Sequence, residues 1–217
     1  MTNKETRVDL DRFQRLGMFE AVWGENKSVE QIIEILKTFE ESSQLAFVTR
    51  VNSEKALKLK NCFNTAVYHE KAACLTLGIP LSIDPSLGKV LIVSGGTSDI
   101  KVATEAELSL RLHGVKTELI LDIGVAGLHR LLGCLDLLEK AKVVIVCAGM
   151  EGSLPTVIAG LIPQPVIGLP VSIGYGVSNE GKVALQSMLA SCSPGLLVVN
   201  SDNGYGAAMA ALRILKS

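Results

Sequence analysis

The second half of the chain alternates continuous apolar runs with segments of helical periodicity, and this alternation constrains the fold more than any other feature. It predicts strands at 89–94, 117–121, 142–148, 165–169 and 195–200, and helices at about 98–113, 125–139, 153–161, 177–190 and 204–216. Apolar runs without polar alternation are typical of parallel strands that crossover helices bury on both faces. The sequence therefore predicts a three-layer α/β/α sandwich with a mainly parallel, doubly wound sheet of the flavodoxin-like kind.

Charge and glycine divide the chain into two parts. Residues 1–60 hold 20 of the 43 charged residues and two of the 20 glycines, whereas residues 88–217 hold 17 glycines. Two prolines and two glycines within 78–88 indicate a linker. We therefore predict a small α/β domain over residues 1–84 and a larger domain, which would carry the chemistry, over residues 85–217.

The first domain shows one strong helix signal and three weaker patterns. Ser28 and Gln31 form a capping-box pattern before an apolar stripe that begins at Val29. The run 45–51 predicts a strand, and 53–60 and 66–77 are interpreted as helices. The expected order is therefore helix, strand, helix.

The charge balance excludes some classes of protein. The chain has 21 basic and 22 acidic residues and no basic run, which argues against a nucleic-acid-binding protein. Its longest apolar stretches are broken by proline, glycine and serine, so no membrane span is expected. The first twelve residues lack the apolar core of a secretory signal, which favours a cytoplasmic location. Five cysteines without CxxC spacing are then expected to be reduced thiols.

The loop after the first strand of the larger domain is a candidate phosphate or ribose site. Two glycines allow close backbone approach to a ligand, and hydroxyl or carboxylate side chains can cap the following helix; the loop residues are Ser94, Gly95, Gly96, Thr97, Ser98 and Asp99. The loop lacks both the GxGxxG fingerprint and the P-loop lysine. An ordinary capped turn is the alternative interpretation.

Charged residues are scarce in the next loops. Between residues 143 and 212 only Glu151, Glu180, Lys182 and Asp202 are charged, and a carboxylate at the end of a buried strand is costly to bury without a role. Glu151 is therefore a candidate functional group, with a helix-dipole carboxylate as the alternative. His129 also follows a predicted strand, although a histidine in such a place is more often structural.

The last segment contains small and aromatic residues around one distinctive cysteine. Tyr175 and Tyr205 could stack on a flat ring. Cys192 lies in a Ser/Pro/Gly turn, unlike the other four cysteines, and a thiolate there could act as a nucleophile. Free cysteine is, however, commonly a small buried hydrophobe.

Several long motifs resemble one family. The segments SGGTSD (94–99), DIGVAGLHRLL (122–132), AGMEGSLPTVIAGL (148–161), PVSIGYG (170–176) and ASCSPGLLVVNSDNGYGAA (190–208) are similar to the LarB family, as are Asp11-Arg12, Arg15–Gly17, Glu20, Gly24–Lys27 and Thr49–Val51. Met18-Phe19 departs from the family's usual aromatic-proline pair. LarB in turn resembles the PurE class of aminoimidazole ribonucleotide carboxylases, with Ser153 here in place of a PurE histidine.

The resemblance implies a carboxylase/hydrolase that begins synthesis of the nickel-pincer nucleotide cofactor. Its substrates would be nicotinic acid adenine dinucleotide and CO2 or bicarbonate, and its products pyridinium-3,5-biscarboxylic acid mononucleotide and AMP. It implies Cys192 as the covalent nucleophile and Glu151 as an acid/base or water-positioning group, with His129 and Asp202 as further catalytic candidates. The expected substrate-binding residues are Ser94, Gly95, Gly96, Thr97, Ser98, Asp99, Gly149, Met150, Gly152, Tyr175, Gly176 and Asn203.

The resemblance also bears on cofactors and partners. Mg2+ is a candidate cofactor for phosphoanhydride cleavage, with no ligand set readable from sequence and no tightly bound organic cofactor expected. A homo-oligomer, an octamer by resemblance to the PurE class, is expected. Two alternatives stay open: a PurE-like carboxylase or mutase acting on aminoimidazole ribonucleotide, and a nucleotide-binding module without catalysis.

Overall fold

The structure is a computed structural model that describes residues 6–217. Residues 1–5 belong to the stretch from which we infer that no secretory signal is present, and they lie outside the described residues. The chain divides into two compact units: the first ends at Leu81 and the second is Ser82–Ser217. The sequence-based boundary lies after residue 84.

The first unit is a small α/β unit with a mixed four-stranded sheet. Its elements are α1 (Arg12–Leu16), β1 (Ala21–Trp23), α2 (Val29–Glu41), β2 (Ala46–Thr49), α3 (Ser53–Cys62), β3 (Val67–His69) and β4 (Cys74–Leu77). The strand order is β1-β2-β4-β3, with β1 and β2 parallel and the other pairs antiparallel. The capping box at the start of α2 is confirmed, because the Ser28 hydroxyl accepts from the Gln31 amide while the Gln31 side chain accepts from the Ser28 amide.

The interpretation of 66–77 as a helix is wrong. The segment forms β3, a 3-10 turn (Glu70–Ala72) and β4, with Ala73 in the left-handed region (φ 49°). Strand β4 pairs with both β2 and β3, and all four of its residues are buried. Pairing with β2, which is distant in sequence, overrides the local pattern, as is common for β structure.

The second unit is the predicted sandwich, and its sheet is entirely parallel. Its strands are β5 (Lys89–Ser94), β6 (Lys116–Ile120), β7 (Val143–Ala148), β8 (Val166–Pro170) and β9 (Leu197–Val198), in the order β6-β5-β7-β8-β9. Its helices are α4 (Ile100–Leu112), α5 (Leu128–Leu132), α6 (Leu135–Leu138), α7 (Leu154–Leu161), α8 (Lys182–Leu189) and α9 (Gly204–Leu215). The order changes direction at β5, and ligands of open α/β sheets bind at such a switch point.

The apolar strands β5 and β7 are buried on both faces, as their lack of alternation predicts. Leu91 and Val93 point into the core that also contains residues of α5, α6, α7 and α8. Because side chains alternate across a strand, Val90 and Ile92 face the opposite layer, where α4 and α9 pack together. Burial of both faces leaves the strand ends as the place where polar groups can meet a ligand.

Some predicted helices are shorter or broken. Residues 125–139 form a 3-10 turn (Val125–Gly127), α5 and α6, with Gly133 and Cys134 between the two helices. Residues 176–181 form a 3-10 segment with a break at Asn179 and Glu180. Among residues 6–217, no helix is both long and apolar enough to cross a membrane.

Candidate active site

A cavity of about 520 Å³ opens at the carboxyl ends of the parallel strands of the second unit. Four loops line it, one after each of β5, β6, β7 and β8; the lining residues are Gly95, Gly96, Ser98, Asp99, Gly124, Val125, Ala126, Ala148, Gly149, Met150, Glu151, Ser153, Leu154, Ile173, Gly174 and Tyr175. Eight of the residues predicted for the site are among them: Gly95, Gly96, Ser98, Asp99, Gly149, Met150, Glu151 and Tyr175. This is the place where doubly wound folds bind ligands.

The β6 loop and the segment after Gly149 supply residues that the sequence analysis missed. Gly124, Val125 and Ala126 line the cavity from the β6 loop, and Ser153, Leu154, Ile173 and Gly174 line it from the β7 and β8 loops. Each of these loops follows a predicted strand. Because ligands bind at the carboxyl ends of parallel strands, the position of these residues in the sequence could have identified them. Their small or apolar side chains carried no chemical signal.

Close backbone approach brings the first two loops together. A Cβ on Gly124 would lie 2.6 Å from the carbonyl oxygen of Gly95, so only glycine fits there. Gly96 differs, because a Cβ on it would meet no atom within 4 Å and its backbone is extended (φ −140°). The open space beside Gly96, a cavity-lining residue, is what a loop that approaches a ligand closely requires.

Asp99 is the buried carboxyl group of the cavity, with 5% of its surface exposed. Its Oδ2 accepts a hydrogen bond from the Gly96 amide at 2.8 Å. Burial raises the pKa of Asp99 above its ordinary value, backbone amides of Gly95, Gly96 and Gly149 act in the opposite direction, and the charge of Asp202 adds to the increase. The carboxyl group therefore connects the β5 and β7 loops and does not merely cap a helix.

Glu151 lies at the cavity with an exposed side chain. Its Oε1 accepts from the Ser153 hydroxyl at 2.7 Å, and Ser153 also lines the cavity. The preceding residue, Met150, has a left-handed backbone (φ 51°) and donates its amide to the Ile173 carbonyl oxygen at 3.0 Å. Met150 thus combines a left-handed backbone with a place in the cavity lining.

Eight of the predicted residues are not in the cavity lining, and three of these act as supports. Ser94 is buried, and its hydroxyl accepts from the Asp122 amide at 3.1 Å. The Asp202 carboxylate accepts from the Ser172 amide at 2.9 Å, and the Asn203 side chain caps α9 by accepting from the Gly206 amide. His129 is exposed on α5. The cavity lining also does not include Thr97, Gly152 or Gly176.

Cys192 is exposed and is not among the residues that line the cavity. The turn that carries it is attached to the start of α7 by side-chain hydrogen bonds. Thr156 Oγ1 lies 2.8 Å from Ser191 Oγ, and Ser193 Oγ donates to the Thr156 carbonyl oxygen at 2.7 Å. The residues just before Thr156, Ser153 and Leu154, line the cavity, so α7 links the cysteine turn to the site.

In the part of the chain that the structure describes, no three His, Cys, Asp or Glu side chains lie together where they could hold a metal ion. Mg2+, however, is commonly held by one or two carboxylates together with substrate phosphates. The exposed carboxylate of Glu151 at the cavity fits that mode of binding.

Comparison with known families gives two adjoining matches. The family model of the LarB/PurE-like N-terminal domain matches residues 2–79, and that of AIR carboxylase matches residues 89–217. An uncharacterised protein of Methanocaldococcus jannaschii is 38% identical over 219 positions, which cover 97% of this chain and 84% of that protein. The N5-carboxyaminoimidazole ribonucleotide mutase of the same organism is 36% identical over 131 positions, covering 58% of this chain and 78% of that protein.

Solved structures show the same fold for the second unit. The crystal structure of Treponema denticola PurE covers 59% of this chain and 80% of its own, with a TM-score of 0.51 and 22% identity. The crystal structure of a substituted PurE2 variant from the same organism gives a TM-score of 0.50, also at 22% identity, and covers 59% of this chain and 79% of its own. The prediction of a PurE-like sandwich is therefore confirmed.

Proposed function

The chain belongs to the LarB family, whose second domain is of the AIR carboxylase type, and we propose that it carboxylates the pyridinium ring of nicotinic acid adenine dinucleotide and cleaves its phosphoanhydride. The observation that carries the proposal is the cavity at the carboxyl ends of β5 to β8, which combines open glycine backbone at Gly96 with the carboxyl groups of Asp99 and Glu151. The glycine loop suits a phosphate or ribose, and the carboxyl groups suit proton transfer.

The chemistry needs a nucleophile because an electron-poor pyridinium does not attack CO2. Addition of the Cys192 thiolate forms a C–S bond and turns the ring into a dihydropyridine, whose enamine carbon then forms the bond to CO2. Loss of the proton from that carbon and expulsion of the thiolate restore the aromatic ring. A thiolate suits both steps, since it is a good nucleophile and a good leaving group.

Burial distinguishes Cys192 from the cysteine nearest the cavity loops. Cys147 lies in β7 and is completely buried, and burial raises the pKa of its thiol well above the ordinary value, with the charges of Asp99 and Glu105 adding to the effect. Cys147 is therefore expected to stay protonated and inert at neutral pH. Cys192 is exposed and within reach of a reagent or substrate.

The remaining roles follow from position. We assign Glu151 to proton transfer or to positioning the water that cleaves the phosphoanhydride, and the open backbone at Gly96 to the phosphate or ribose of the substrate. Mg2+, held by Glu151 and the substrate phosphates, would neutralise charge that develops on the phosphoanhydride. We assign Asp99 to holding the β5 and β7 loops together through hydrogen bonds with their backbone amides.

We further propose that the thiol and the cavity of an active site come from different copies of the chain. Cys192 does not line the cavity of its own chain. Exposed apolar side chains occur both near the cysteine turn, at Leu189 and Leu197, and at the cavity, at Ile173 and Tyr175. Association of copies would cover both sets, which is consistent with the expected homo-oligomer.

Mixing two inactive variants tests this arrangement. Cys192→Ser and Glu151→Gln are denatured together, refolded and assayed. If sites combine two copies, random assembly restores roughly a quarter of native activity, because half of the cavities are intact and half of those receive an intact thiol. No recovery in refolded mixtures whose native control regains activity would contradict the shared site while leaving the carboxylase assignment intact.

The activity itself is tested with nicotinic acid adenine dinucleotide, 13C-bicarbonate and Mg2+, read by mass spectrometry. We expect labelled biscarboxylated mononucleotide together with AMP. Two matched reactions test the second candidate, a PurE-like carboxylase or mutase, which the 36% identity to the M. jannaschii mutase favours: aminoimidazole ribonucleotide with bicarbonate for the carboxylase, and N5-carboxyaminoimidazole ribonucleotide for the mutase. Turnover of the imidazole substrate alone would overturn our proposal, and binding without turnover of either would indicate a non-catalytic module.

A further inference from the structure

The first unit has its own set of loops at the ends of parallel strands. Strands β1 and β2 pair in parallel, with Trp23 opposite Thr49, so the residues that follow them lie at one edge of the sheet. Trp23 is the single tryptophan of the chain, and 52% of its surface is exposed. The Arg50 guanidinium carbon lies 5.9 Å from the Trp23 ring centroid. The indole therefore presents a large accessible aromatic surface beside a cation.

The polar contacts around Trp23 fix its position. Glu25 Oε2 accepts from Trp23 Nε1 at 3.1 Å and from Arg50 Nη1 at 3.4 Å. Arg50 itself has a left-handed backbone (φ 54°), as do six other non-glycine residues of the described chain. The indole is thus held in place while about half of it stays accessible to a ligand.

The loop after β1 is held by one ammonium group. Lys55 Nζ donates to the carbonyl oxygens of Gly24, Glu25 and Lys27 at 2.9, 2.8 and 2.8 Å. Three such bonds fix the backbone of the loop. The bond to Lys27 engages only its backbone, and Lys27 is also among the residues that line a nearby cavity.

That cavity, of about 280 Å³, runs along β1 and is lined by Arg7, Glu20, Trp23 and Lys27, with Val22 and Ile35 at its apolar side. Glu20 Oε2 is already engaged, since it accepts from the Asp9 amide at 2.8 Å. Within residues 6–217, the side chains of Arg7 and Lys27 have no carboxylate partner. The cavity therefore combines two cations that have no ion-pair partner among the described residues, one carboxylate (Glu20) and the ordered Trp23 ring, so basic groups outnumber the acidic one.

We propose that this cavity binds a mononucleotide, with its phosphate between Arg7 and Lys27 and its base against Trp23. Phosphate oxygens form strong charge-assisted hydrogen bonds with both kinds of cation, and bases stack on exposed aromatic rings. The volume lies just below the ~300–1,000 Å³ typical of drug-sized ligands, which favours a mononucleotide over a dinucleotide. This binding site shares no lining residue with the carboxylase cavity and does not depend on the proposed reaction.

Because Trp23 is the single tryptophan, its fluorescence reports on this site directly. The full-length protein is titrated with AMP, adenosine and inorganic phosphate. We expect saturable quenching by AMP, competition by inorganic phosphate, and much weaker binding of adenosine, which lacks the charge. Absence of quenching by AMP, or equal affinity for adenosine and AMP, would overturn the proposal.

Charge-neutral variants identify the site. Lys27→Gln is expected to raise the AMP dissociation constant about tenfold, the typical effect of one charge-assisted hydrogen bond. Lys37→Gln removes the same charge from an exposed position of α2 and is expected to leave binding unchanged. Circular dichroism checks that both variants fold. If the two substitutions weaken AMP binding equally, the effect comes from the overall charge of the protein and not from contact with Lys27, and the proposed site is wrong.

A variant of the other cavity separates the two sites. Gly96→Val is expected to leave the quenching of Trp23 by AMP unchanged, because its side chain would project into open space at the carboxylase cavity. Loss of quenching in Gly96→Val together with normal quenching in Lys27→Gln would show that the fluorescence reports on the carboxylase cavity, and the proposal would fall.

Discussion

Both units have loops at the ends of parallel strands, but different interactions order these loops in the two units. In the second unit, backbone hydrogen bonds and close backbone packing hold most of the loop residues in place. The Gly95 amide donates to the Cys147 carbonyl oxygen at 3.0 Å, the Ile123 amide donates to the Ser94 carbonyl oxygen at 3.1 Å, and Gly124 approaches Gly95 so closely that a side chain would not fit. In the first unit the Lys55 side chain orders the loop through three carbonyl groups.

The difference follows from where the charges lie. Residues 1–60 contain 20 of the 43 charged residues, whereas the loops after β5, β6 and β7 each carry few charged residues, among them Asp99, Asp122 and Glu151. Loops with few charged side chains rely more on close packing of the backbone, which requires glycine where Gly124 approaches Gly95, and on single polar groups such as the Asp99 carboxyl. The few charged groups that remain, such as Glu151, are then available for chemistry. We therefore expect substitutions in the second unit to change activity more than stability, and the reverse at Lys55.

The largest effect is expected for Cys192→Ser. A hydroxyl is a far poorer nucleophile than a thiolate at neutral pH, so carboxylation should fall by more than ~10³-fold while the fold persists. The assay is labelled-bicarbonate incorporation, with thermal unfolding as the check on the fold. Cys62→Ser, at an exposed cysteine of the first unit, is the matched control and should remain active. Full activity of Cys192→Ser would contradict the covalent mechanism.

Glu151→Gln should have the next largest effect. It keeps the shape of the side chain but removes its charge and basicity, and we expect one half-reaction to slow by the ~10²- to 10⁴-fold typical of acid/base groups. Separate measurement of carboxylated product and AMP shows which step is affected. Normal turnover would instead assign Glu151 to the helix dipole of α7.

Gly96→Val tests the backbone-ordered loop directly. Because a Cβ there meets open space and the backbone is extended, the protein should fold with a melting temperature within about 2 °C of the native value. The new side chain should nevertheless raise KM about tenfold or more by keeping the ligand from the backbone. Gly96→Ala should give a smaller increase. An unchanged KM in a folded Gly96→Val variant would remove this loop from the site.

Lys55→Met tests the side-chain-ordered loop. Loss of the three hydrogen bonds should lower the free energy of unfolding of the first unit by about 1–3 kcal/mol, measured by denaturant titration followed through Trp23 fluorescence. Lys60→Met, at an exposed position of the same helix, should change it by no more than about 0.5 kcal/mol. Equal effects of the two substitutions would mean that the contacts of Lys55 do not stabilise the loop.

The smallest effect concerns pH. The folded state raises the pKa of Asp99 above 3.8, so it binds this proton more tightly than the unfolded state does. The resulting stabilisation is fully present below about pH 3.8 and is lost as pH rises through the raised pKa. Asp99→Asn lacks this dependence, so the stability of the native protein relative to the variant should fall as pH rises over that range. A constant difference across the range would show that the burial of Asp99 does not matter to stability.

The repeated pattern of the second unit was predictable from the sequence because burial of a strand on both faces acts on every residue of the strand. The apolar runs at 89–94 and 142–148 therefore identified β5 and β7. The capping box at Ser28 was also predictable, because the two residues that form it are only three positions apart in the sequence. The position of the site followed from the rule that ligands bind at the ends of parallel strands.

Other features depended on residues far apart in the chain. The segment 66–77 became two strands because β4 pairs with β2, and Asp99 became a buried carboxyl group because the loops after β5 and β7 close over it. The exposure of Cys192 outside the cavity depends on hydrogen bonds between its turn and Thr156. The sequence by itself determined the periodic elements and the edge of the sheet that carries the site. Only the tertiary structure decided which side chains meet there, because those contacts join segments that no local pattern connects.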